Sequence, residues 1–393
     1  MEAIYLDHSA TTPIRPEVLE SMYPYFTDVF GNASSIHTFG QQAKKALEDS
    51  REVVAEILDT SPEEIIFTSG GTEATNLAIK GVLRSRLKKG NQIITSSIEH
   101  HATLYTCQYL EREGFQVIYL PVDQHGKVDP DDVKRAITDK TVLISIMHAN
   151  NEVGTIQPIE EIGEIARSGG VLFHTDGVQS VGKIPVNVDD LKVDFLSLSG
   201  HKFYGPKGVG ILYARKGAPF EPLFQGGHHE LNRRPGTENI PGIVGLARAM
   251  ELAEEEMDQV GSRERTLRDA FWEVIQSEIE GVYLNGHPTD RVPPILNVSF
   301  EFVDGESVIL NLDLKGIAVS TGSACTSDAL EPSHVLRAMG VSPRLAQGAV
   351  RFSLGRETTQ EQLDYTAAVL VETIQRLRSM SPAYADVKKR RGN

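Results

Sequence analysis

Short apolar runs alternate with helix-like segments through the first two thirds of the chain, and this alternation limits the folds open to it. The apolar runs are rich in β-branched residues and bounded by turn residues; they lie at 65–67, 93–94, 117–120, 142–146, 171–173, 193–198 and 209–213. Helix-like segments lie between them at 72–89, 103–112 and 158–167. Strands that alternate with helices in this way form layers around a mainly parallel sheet. The sequence therefore predicts an α/β domain.

The pattern changes near residue 241, where a long amphipathic helix begins. Its apolar residues recur at helical spacing from Ile243 to Met257, and a second apolar stripe continues to Ile279. Beyond it come a strand at 295–300, a helix at 307–314, a loop rich in Gly, Ser and Thr around 320–327, a strand at 349–353 and a helix at 359–378. A chain of 393 residues exceeds one ordinary domain. We place the domain boundary inside the long helix, near residue 258.

Composition excludes several classes of function. Lys and Arg number 39 against 54 Asp and Glu, which gives a net charge of −15 and argues against direct nucleic-acid binding. No stretch approaches the ~20 apolar residues that span a bilayer, and the N-terminus lacks the pattern of a signal peptide. We therefore expect a soluble, cytoplasmic protein. The basic run at 388–391 is either a solvated terminus or a docking tail for an acidic partner.

The two cysteines, Cys107 and Cys325, differ in their sequence surroundings. Their separation fits neither a disulfide framework nor a metal site. Cys107 lies inside a helix-like apolar run, which favours simple packing. Cys325 lies among small and polar residues in a loop of about 319–332, whereas a structural cysteine usually has bulky apolar neighbours. These surroundings therefore predict that Cys325 is an exposed, reactive thiol.

Three further segments carry chemistry. Lys202 follows an apolar strand in a loop of small residues, from which it can reach a cofactor. Asp176 ends another strand, where open α/β sheets place their ligands, and an acid there can pair with the protonated ring nitrogen of pyridoxal phosphate. Gly70 and Gly71 stand between a strand and a helix, a position that favours phosphate. Alone, each has an ordinary interpretation: a surface lysine, a helix cap and a turn.

A series of motifs in family order identifies a resemblance over nearly the whole chain. They are YLDHSATTP (5–13), GNASSIH (31–37), GGTEATN (70–76), EHHAT (99–103), MHANNEVGTIQPI (147–159), HTDGVQ (174–179), SLSGHKFYGPKG (197–208), RRPGTENI (233–240), STGSACTSDALEPSHVL (320–336) and RFSLGR (351–356). The sequence resembles the cysteine desulfurases of the NifS/IscS type, which are fold type I pyridoxal-phosphate enzymes of the class V aminotransferase-like group. The long loop around Cys325 resembles this subgroup more than the short-loop SufS subgroup.

The resemblance implies a role for each matching residue. Lys202 would hold pyridoxal 5′-phosphate covalently, Asp176 would bind its ring nitrogen, Gln179 its phenolic side, and His100 would stack on the ring. The phosphate would be held by the remaining set, namely Gly71, Thr72, Ser199, His201 and, from the other subunit of a homodimer, Thr237. Asn151 would bind cofactor and substrate, and Arg351 the substrate carboxylate, which a guanidinium binds bidentately.

The resemblance also implies the reaction and the domains. L-Cysteine would yield alanine and a persulfide on Cys325, with Lys202 and His100 as the other catalytic groups and no metal. The acceptor would be an iron–sulfur scaffold or a protein of tRNA or cofactor thiolation. Residues 14–258 would form the large cofactor-binding domain, and residues 1–13 and 259–393 the small α+β domain with the cysteine loop.

Three other functions stay open on sequence grounds. A selenocysteine lyase would share the fold and cofactor and need less from Cys325. An aminotransferase or another class V lyase would give no reason for a loop cysteine. A catalytically idle scaffold would be expected to lose the cofactor lysine or the acid, and both Lys202 and Asp176 are present.

Overall fold

A seven-stranded mixed sheet forms the centre of the larger part of the molecule. The structure is a computed structural model and describes residues 3–321 and 332–385. The described strands, numbered along the chain, are β1 (Ile4–Tyr5), β2 (Ile65–Thr68), β3 (Gln92–Ser96), β4 (Gln116–Leu120), β5 (Thr141–Ser145), β6 (Leu172–Asp176), β7 (Phe195–Ser199), β8 (Gly210–Ala214), β9 (Val282–Asn285), β10 (Ile295–Phe300), β11 (Ile317–Ala318) and β12 (Ala349–Ser353). The large sheet has the strand order β2-β8-β7-β6-β5-β3-β4.

Helices cover the sheet and fill the second part of the chain. They are α1 (Pro16–Met22), α2 (Pro24–Thr27), α3 (Thr38–Leu58), α4 (Gly71–Arg86), α5 (His101–Arg112), α6 (Pro130–Ala136), α7 (Ile159–Gly169), α8 (His229–Asn232), α9 (Ile240–Glu278), α10 (Gly305–Asp313), α11 (His334–Ala338), α12 (Pro343–Gln347) and α13 (Gln360–Ser379). Short 3₁₀ turns lie at Pro62–Glu64 and Gly200–Lys202. No helix in these described stretches is long and apolar enough to cross a membrane.

The predicted α/β fold with a mainly parallel sheet is confirmed. Only β8 runs against its neighbours, since it pairs antiparallel with both β2 and β7, while the remaining pairs are parallel. Strands β2, β3, β5, β6 and β7 therefore all point the same way. Their carboxyl ends meet at one edge of the sheet, where ligands bind in folds of this kind.

The two largest of five apolar clusters in the described residues lie in different parts of the chain. The first packs α3 and the first half of α9 against the large sheet, through residues such as Leu47, Leu246 and Phe173. The second surrounds β10 and β12 and takes in Leu6 from the N-terminal segment and Phe271 from the end of α9. Helix α9 continues without a break across residue 258. The proposed domain bounds therefore stay a prediction that rests on this division of the cores.

Helix α3 is the main element that sequence reasoning did not identify. Its buried stripe is built largely from small or polar residues, including Gly40, Ala43 and Ser50, so the sequence shows few of the large apolar side chains that mark a buried helix. The helix packs against α9. The predicted strand at 295–300 and the predicted strand at 349–353 are found at those positions.

A buried ion pair fixes the segment that contains α8. Both carboxylate oxygens of Glu230 accept from Arg51, at 2.7 and 2.9 Å, and one of them also accepts from the backbone N–H of Phe67 at 2.8 Å. Glu230, Leu231 and Asn232 all have left-handed backbone angles, with φ of 44°, 57° and 66°. Such conformations cost free energy for residues other than glycine, so the ion pair must hold them in place.

We predict that Glu230→Ala lowers the free energy of unfolding by about 3–5 kcal/mol, because it leaves the Arg51 guanidinium buried without its partner. The measurement is chemical denaturation followed by circular dichroism. Asp49→Ala, which removes an exposed i,i+4 partner of Lys45, is the control and should leave the transition in place. Equal effects of the two substitutions would contradict the role given to Glu230.

Candidate active site

A cavity of about 290 Å³ opens at the carboxyl edge of the sheet. The ends of β2, β3, β6 and β7 and the segment after β5 bring their side chains to it. The residues that line it are Ser9, Ala10, Gly71, Thr72, His100, Ala102, Met147, Ala149, Asn151, Asp176, Val178, Gln179, Ser199, His201, Lys202 and Arg351. The structure thus brings together the predicted site residues of one chain, with the exceptions of Thr237 and Cys325.

Lys202 enters the cavity from the 3₁₀ turn that follows β7. Its Nζ donates hydrogen bonds to the carbonyl oxygens of Ser9 and Ala10, both at 2.7 Å. These carbonyls belong to the N-terminal segment, which crosses from the second core to the cavity. The amine is therefore held at the site by backbone acceptors, and a ligand that reacts with it must displace those bonds.

Asp176 is the buried acid of the cavity, with 6% of its surface exposed. Burial raises its pKa to about 6, while the N–H of Val178, which donates to Oδ1 at 3.0 Å, and the charge of Lys202 pull it back down. A carboxylate costs free energy when it is desolvated without a cation against it. A protonated ring nitrogen would supply that cation, so the acid fits the predicted partner of a pyridine ring.

The turn between β2 and α4 forms a cradle for an anion. Gly70 has a φ of 151°, and a Cβ at Gly71 would come within 2.8 Å of Val178 Cγ2. Backbone N–H groups at the start of a 16-residue helix, together with Thr72, Ser199 and His201 at the cavity wall, make up a donor set suited to a phosphate. These residues fit the predicted cofactor, because an acid and a set of phosphate donors line the same cavity.

His100 caps helix α5 at the cavity. Its Nδ1 accepts from the backbone N–H of Ala102 at 3.1 Å, so in the neutral ring the proton is on Nε2. Burial lowers the pKa of His100 to about 4, and the nearby charges of Lys202, His101 and His334 add to the effect. With a pKa that low, the ring is neutral at physiological pH and offers one N–H, at Nε2.

Arg351 comes from β12 and connects the second core to the cavity. It is 2% exposed, and its guanidinium donates to Asp7 Oδ1 at 2.6 Å and to the carbonyl oxygen of Asn151 at 2.9 Å. A substrate carboxylate would therefore bind beside an existing ion pair. Sequence reasoning placed Arg351 and Asn151 at the site but missed Asp7, although it belongs to the first motif of the resemblance.

Of the two predicted cofactor-binding residues Gln179 and Thr237, only Gln179 lies at the cavity. Gln179 lines the cavity, donates from Nε2 to Ser9 O at 3.0 Å and accepts at Oε1 from Lys183. Thr237 is exposed and does not line the cavity of its own chain. Its predicted contact with the phosphate of another subunit therefore stays a prediction.

Cys325 lies outside the described residues, as does the basic run at 388–391. Described residues on either side of the 322–331 segment contact Arg351, which lines the cavity, and Glu99, the neighbour of His100. Ser320 pairs with Arg351 through two backbone hydrogen bonds of 3.2 and 2.6 Å. His334 Nε2 lies 3.0 Å from the carbonyl oxygen of Glu99, the residue before His100.

Cys107 is a packing residue, as predicted. It is 0% exposed within α5, and burial raises the pKa of its thiol to about 12. The thiolate is the reactive form of cysteine, so Cys107 is unreactive at physiological pH. Of the two cysteines, this leaves Cys325 as the candidate nucleophile.

We predict that Asp176→Asn stabilises the cofactor-free protein above pH 7. The folded-state pKa of Asp176 is raised, so its contribution to stability is complete below the unfolded pKa of about 3.9 and is lost as the pH rises through about 6. The variant should gain roughly 3 kcal/mol in free energy of unfolding at pH 8 and little at pH 4. Denaturation at several pH values measures this, and a gain that does not depend on pH would contradict it.

Comparisons with known proteins identify the family. Residues 4–366 match the Aminotransferase class-V family. The chain is 55% identical over 379 residues to "Cysteine desulfurase IscS" of Dictyoglomus turgidum, covering 96% of each chain. Among solved structures, a "NIFS-like protein" is 42% identical with a TM-score of 0.90, covering 95% of this chain and 99% of that one. "SspA in complex with cysteine" is 40% identical with a TM-score of 0.80, covering 91% and 100%. The chain therefore belongs to the class-V aminotransferase family and, within it, to the cysteine desulfurases.

Proposed function

We propose that this chain takes sulfur from L-cysteine with the help of pyridoxal 5′-phosphate and carries the sulfur as a persulfide on Cys325. The family supports the reaction type, and a structural relative is described in complex with cysteine. The relatives carry the name cysteine desulfurase, and this does not favour the selenocysteine lyase alternative. The substrate class is thus a small amino acid with a sulfur on its side chain.

The cofactor is held by residues that already converge on the cavity. Lys202 would bind it covalently, Asp176 its ring nitrogen, and the cradle of Gly71, Thr72, Ser199 and His201 its phosphate. When bound, pyridoxal phosphate supplies an electron sink for the carbon skeleton of an amino acid. The raised pKa of Asp176 supports this assignment, since the acid lacks a full counter-charge until a cationic ring nitrogen binds.

Residues of the chain bind the substrate, move protons and accept the sulfur. Arg351 and Asn151 bind and orient the substrate carboxylate. The Lys202 amine and the His100 ring move protons, with His100 acting at Nε2. The Cys325 thiolate attacks the substrate sulfur, the carbon–sulfur bond breaks, and the carbon keeps the electron pair and takes up a proton. L-Cysteine and one protein thiol thus become alanine and one protein persulfide, which balances atoms and electrons.

The observation that carries this proposal is the contact that described residues on both sides of Cys325 make with residues at or next to the cavity. Ser320 forms backbone hydrogen bonds with Arg351, which lines the cavity, and His334 lies against Glu99, the neighbour of His100. Ser333 also donates to the buried carboxylate of Glu152 at 2.5 Å. Cys325 lies between these residues in the sequence, which supports it as the thiol that meets the substrate.

We further propose a homodimer and a protein acceptor of the sulfur. Large apolar side chains are exposed at short intervals between residues 23 and 36, with Tyr23 at 65%, Phe26 at 58%, Phe30 at 66% and Ile36 at 94% exposure. A monomer rarely exposes such a patch. The acceptor would be an iron–sulfur scaffold or a thiolation protein, which the 388–391 run could help to dock. Sedimentation equilibrium should return twice the chain mass of 43.2 kDa, and a monomer mass would contradict the dimer.

We predict that Cys325→Ala abolishes alanine formation from L-cysteine while the protein still binds the cofactor and absorbs visible light. The matched control is Cys107→Ala, which removes a thiol that is buried in α5 and should retain most of the turnover. Alanine and sulfide are quantified after addition of cysteine to each protein. Full turnover by Cys325→Ala would show that sulfur leaves the substrate without that thiol.

A further inference from the structure

Lys183 lies beside the cavity but has no role in the reaction as described so far. It follows Gln179 by four residues in a segment of turns and lines a second, smaller pocket of about 50 Å³ that has Ser9 and Lys202 in its wall. The larger cavity also has Ser9 and Lys202 in its wall, so the two spaces share those residues. Lys183 is partly buried, and its Nζ donates to Gln179 Oε1 at 2.5 Å.

This hydrogen bond decides which way the Gln179 amide faces. A lysine donates at Nζ when charged and so requires the amide oxygen on its side. On the other side, the Ser9 carbonyl accepts from Nε2 at 3.0 Å and requires the amide nitrogen. Both partners therefore select the same orientation. Nε2 carries a second hydrogen, so Gln179 meets a ligand in the cavity as a donor rather than as an acceptor.

Lys183 is also a second amine near Lys202. Burial lowers the pKa of Lys183 to about 7; the charges of Lys202 and Arg351 lower it further, and that of Glu264 raises it. Glu264 is itself buried, and burial raises its pKa to about 8. The other titratable or charged groups around Lys183 and its pocket are His8, Arg15, His201, Tyr204, Glu256 and Arg356.

We propose that Lys183 is a positioning residue for the cofactor cavity, which acts through Gln179 and through its charge. It fixes Gln179 as a hydrogen-bond donor to an anionic oxygen of the bound cofactor, and it places a positive charge next to Lys202. A cation that donates to an amide oxygen polarises the amide and strengthens its N–H as a donor. A nearby positive charge also disfavours protonation of any group in the cavity. This inference rests on the proposed function, since it concerns the same cofactor.

Two substitutions separate the hydrogen bond from the charge. Lys183→Gln keeps a donor for Gln179 Oε1 and removes the charge, whereas Lys183→Met removes both. Lys44→Met, at an exposed position of α3, is the control. The first readout is the affinity of the apoprotein for added pyridoxal phosphate, from an absorbance titration. Lys183→Met should bind about tenfold more weakly, and Lys183→Gln and Lys44→Met close to wild type.

The second readout is the pH midpoint of the visible absorption of the pyridoxal-phosphate-bound protein. Lys183 is charged below its pKa of about 7, and in that range its charge opposes protonation in the cavity. Both Lys183 variants should therefore raise this midpoint by about one pH unit, and Lys44→Met should not move it. The pH midpoint reports the charge near the cofactor, which a purely structural role of Lys183 would not change. If Lys183→Met does not fold, the midpoint is measured on Lys183→Gln. Unchanged midpoints in proteins that bind the cofactor would overturn the role of Lys183. A wild-type protein that forms no visible band would instead overturn the proposed function.

Discussion

The site depends on the common direction of β2, β3, β5, β6 and β7, because parallel strands end at the same edge of their sheet. Lys202, Asp176, His100 and Gly71 lie at or just after the ends of four different strands, and the sheet gathers them around one cavity. The second core contributes by a different route. Arg351 on β12 and the N-terminal segment at Ser9 reach the same cavity because both belong to the layer packed against the end of α9.

This arrangement buries several ionisable side chains, and ionising them there costs free energy. Asp176, Lys183 and Glu264 are shifted toward their neutral forms because the surrounding protein solvates charge poorly. Of these groups, Asp176 lines the cavity and would gain a counter-charge from a ligand with a cationic ring. Cofactor binding and cofactor-free stability are thus opposed at this site, and the protein without its cofactor should be at its weakest where Asp176 is ionised.

Much of this could be predicted from sequence, and the failures have physical reasons. Asp176 and Lys202 were found because each ends or follows a short buried strand, a pattern that also fixed the fold class. Helix α3 was missed because its buried face is made largely of small and polar residues rather than large apolar ones. The Asp7–Arg351 ion pair and the contact of Lys183 with Gln179 could not be read from spacing, since the first joins residues 344 positions apart and the second depends on which way an amide faces.

Covalent attachment of the cofactor to Lys202 is the central claim, and it can be measured directly. The protein loaded with pyridoxal phosphate is reduced with borohydride, digested and analysed by mass spectrometry. The account predicts the reduced adduct on the peptide that contains Lys202 and none on the one that contains Lys183. An adduct on another lysine, or no adduct on a protein that still converts cysteine to alanine, would contradict it.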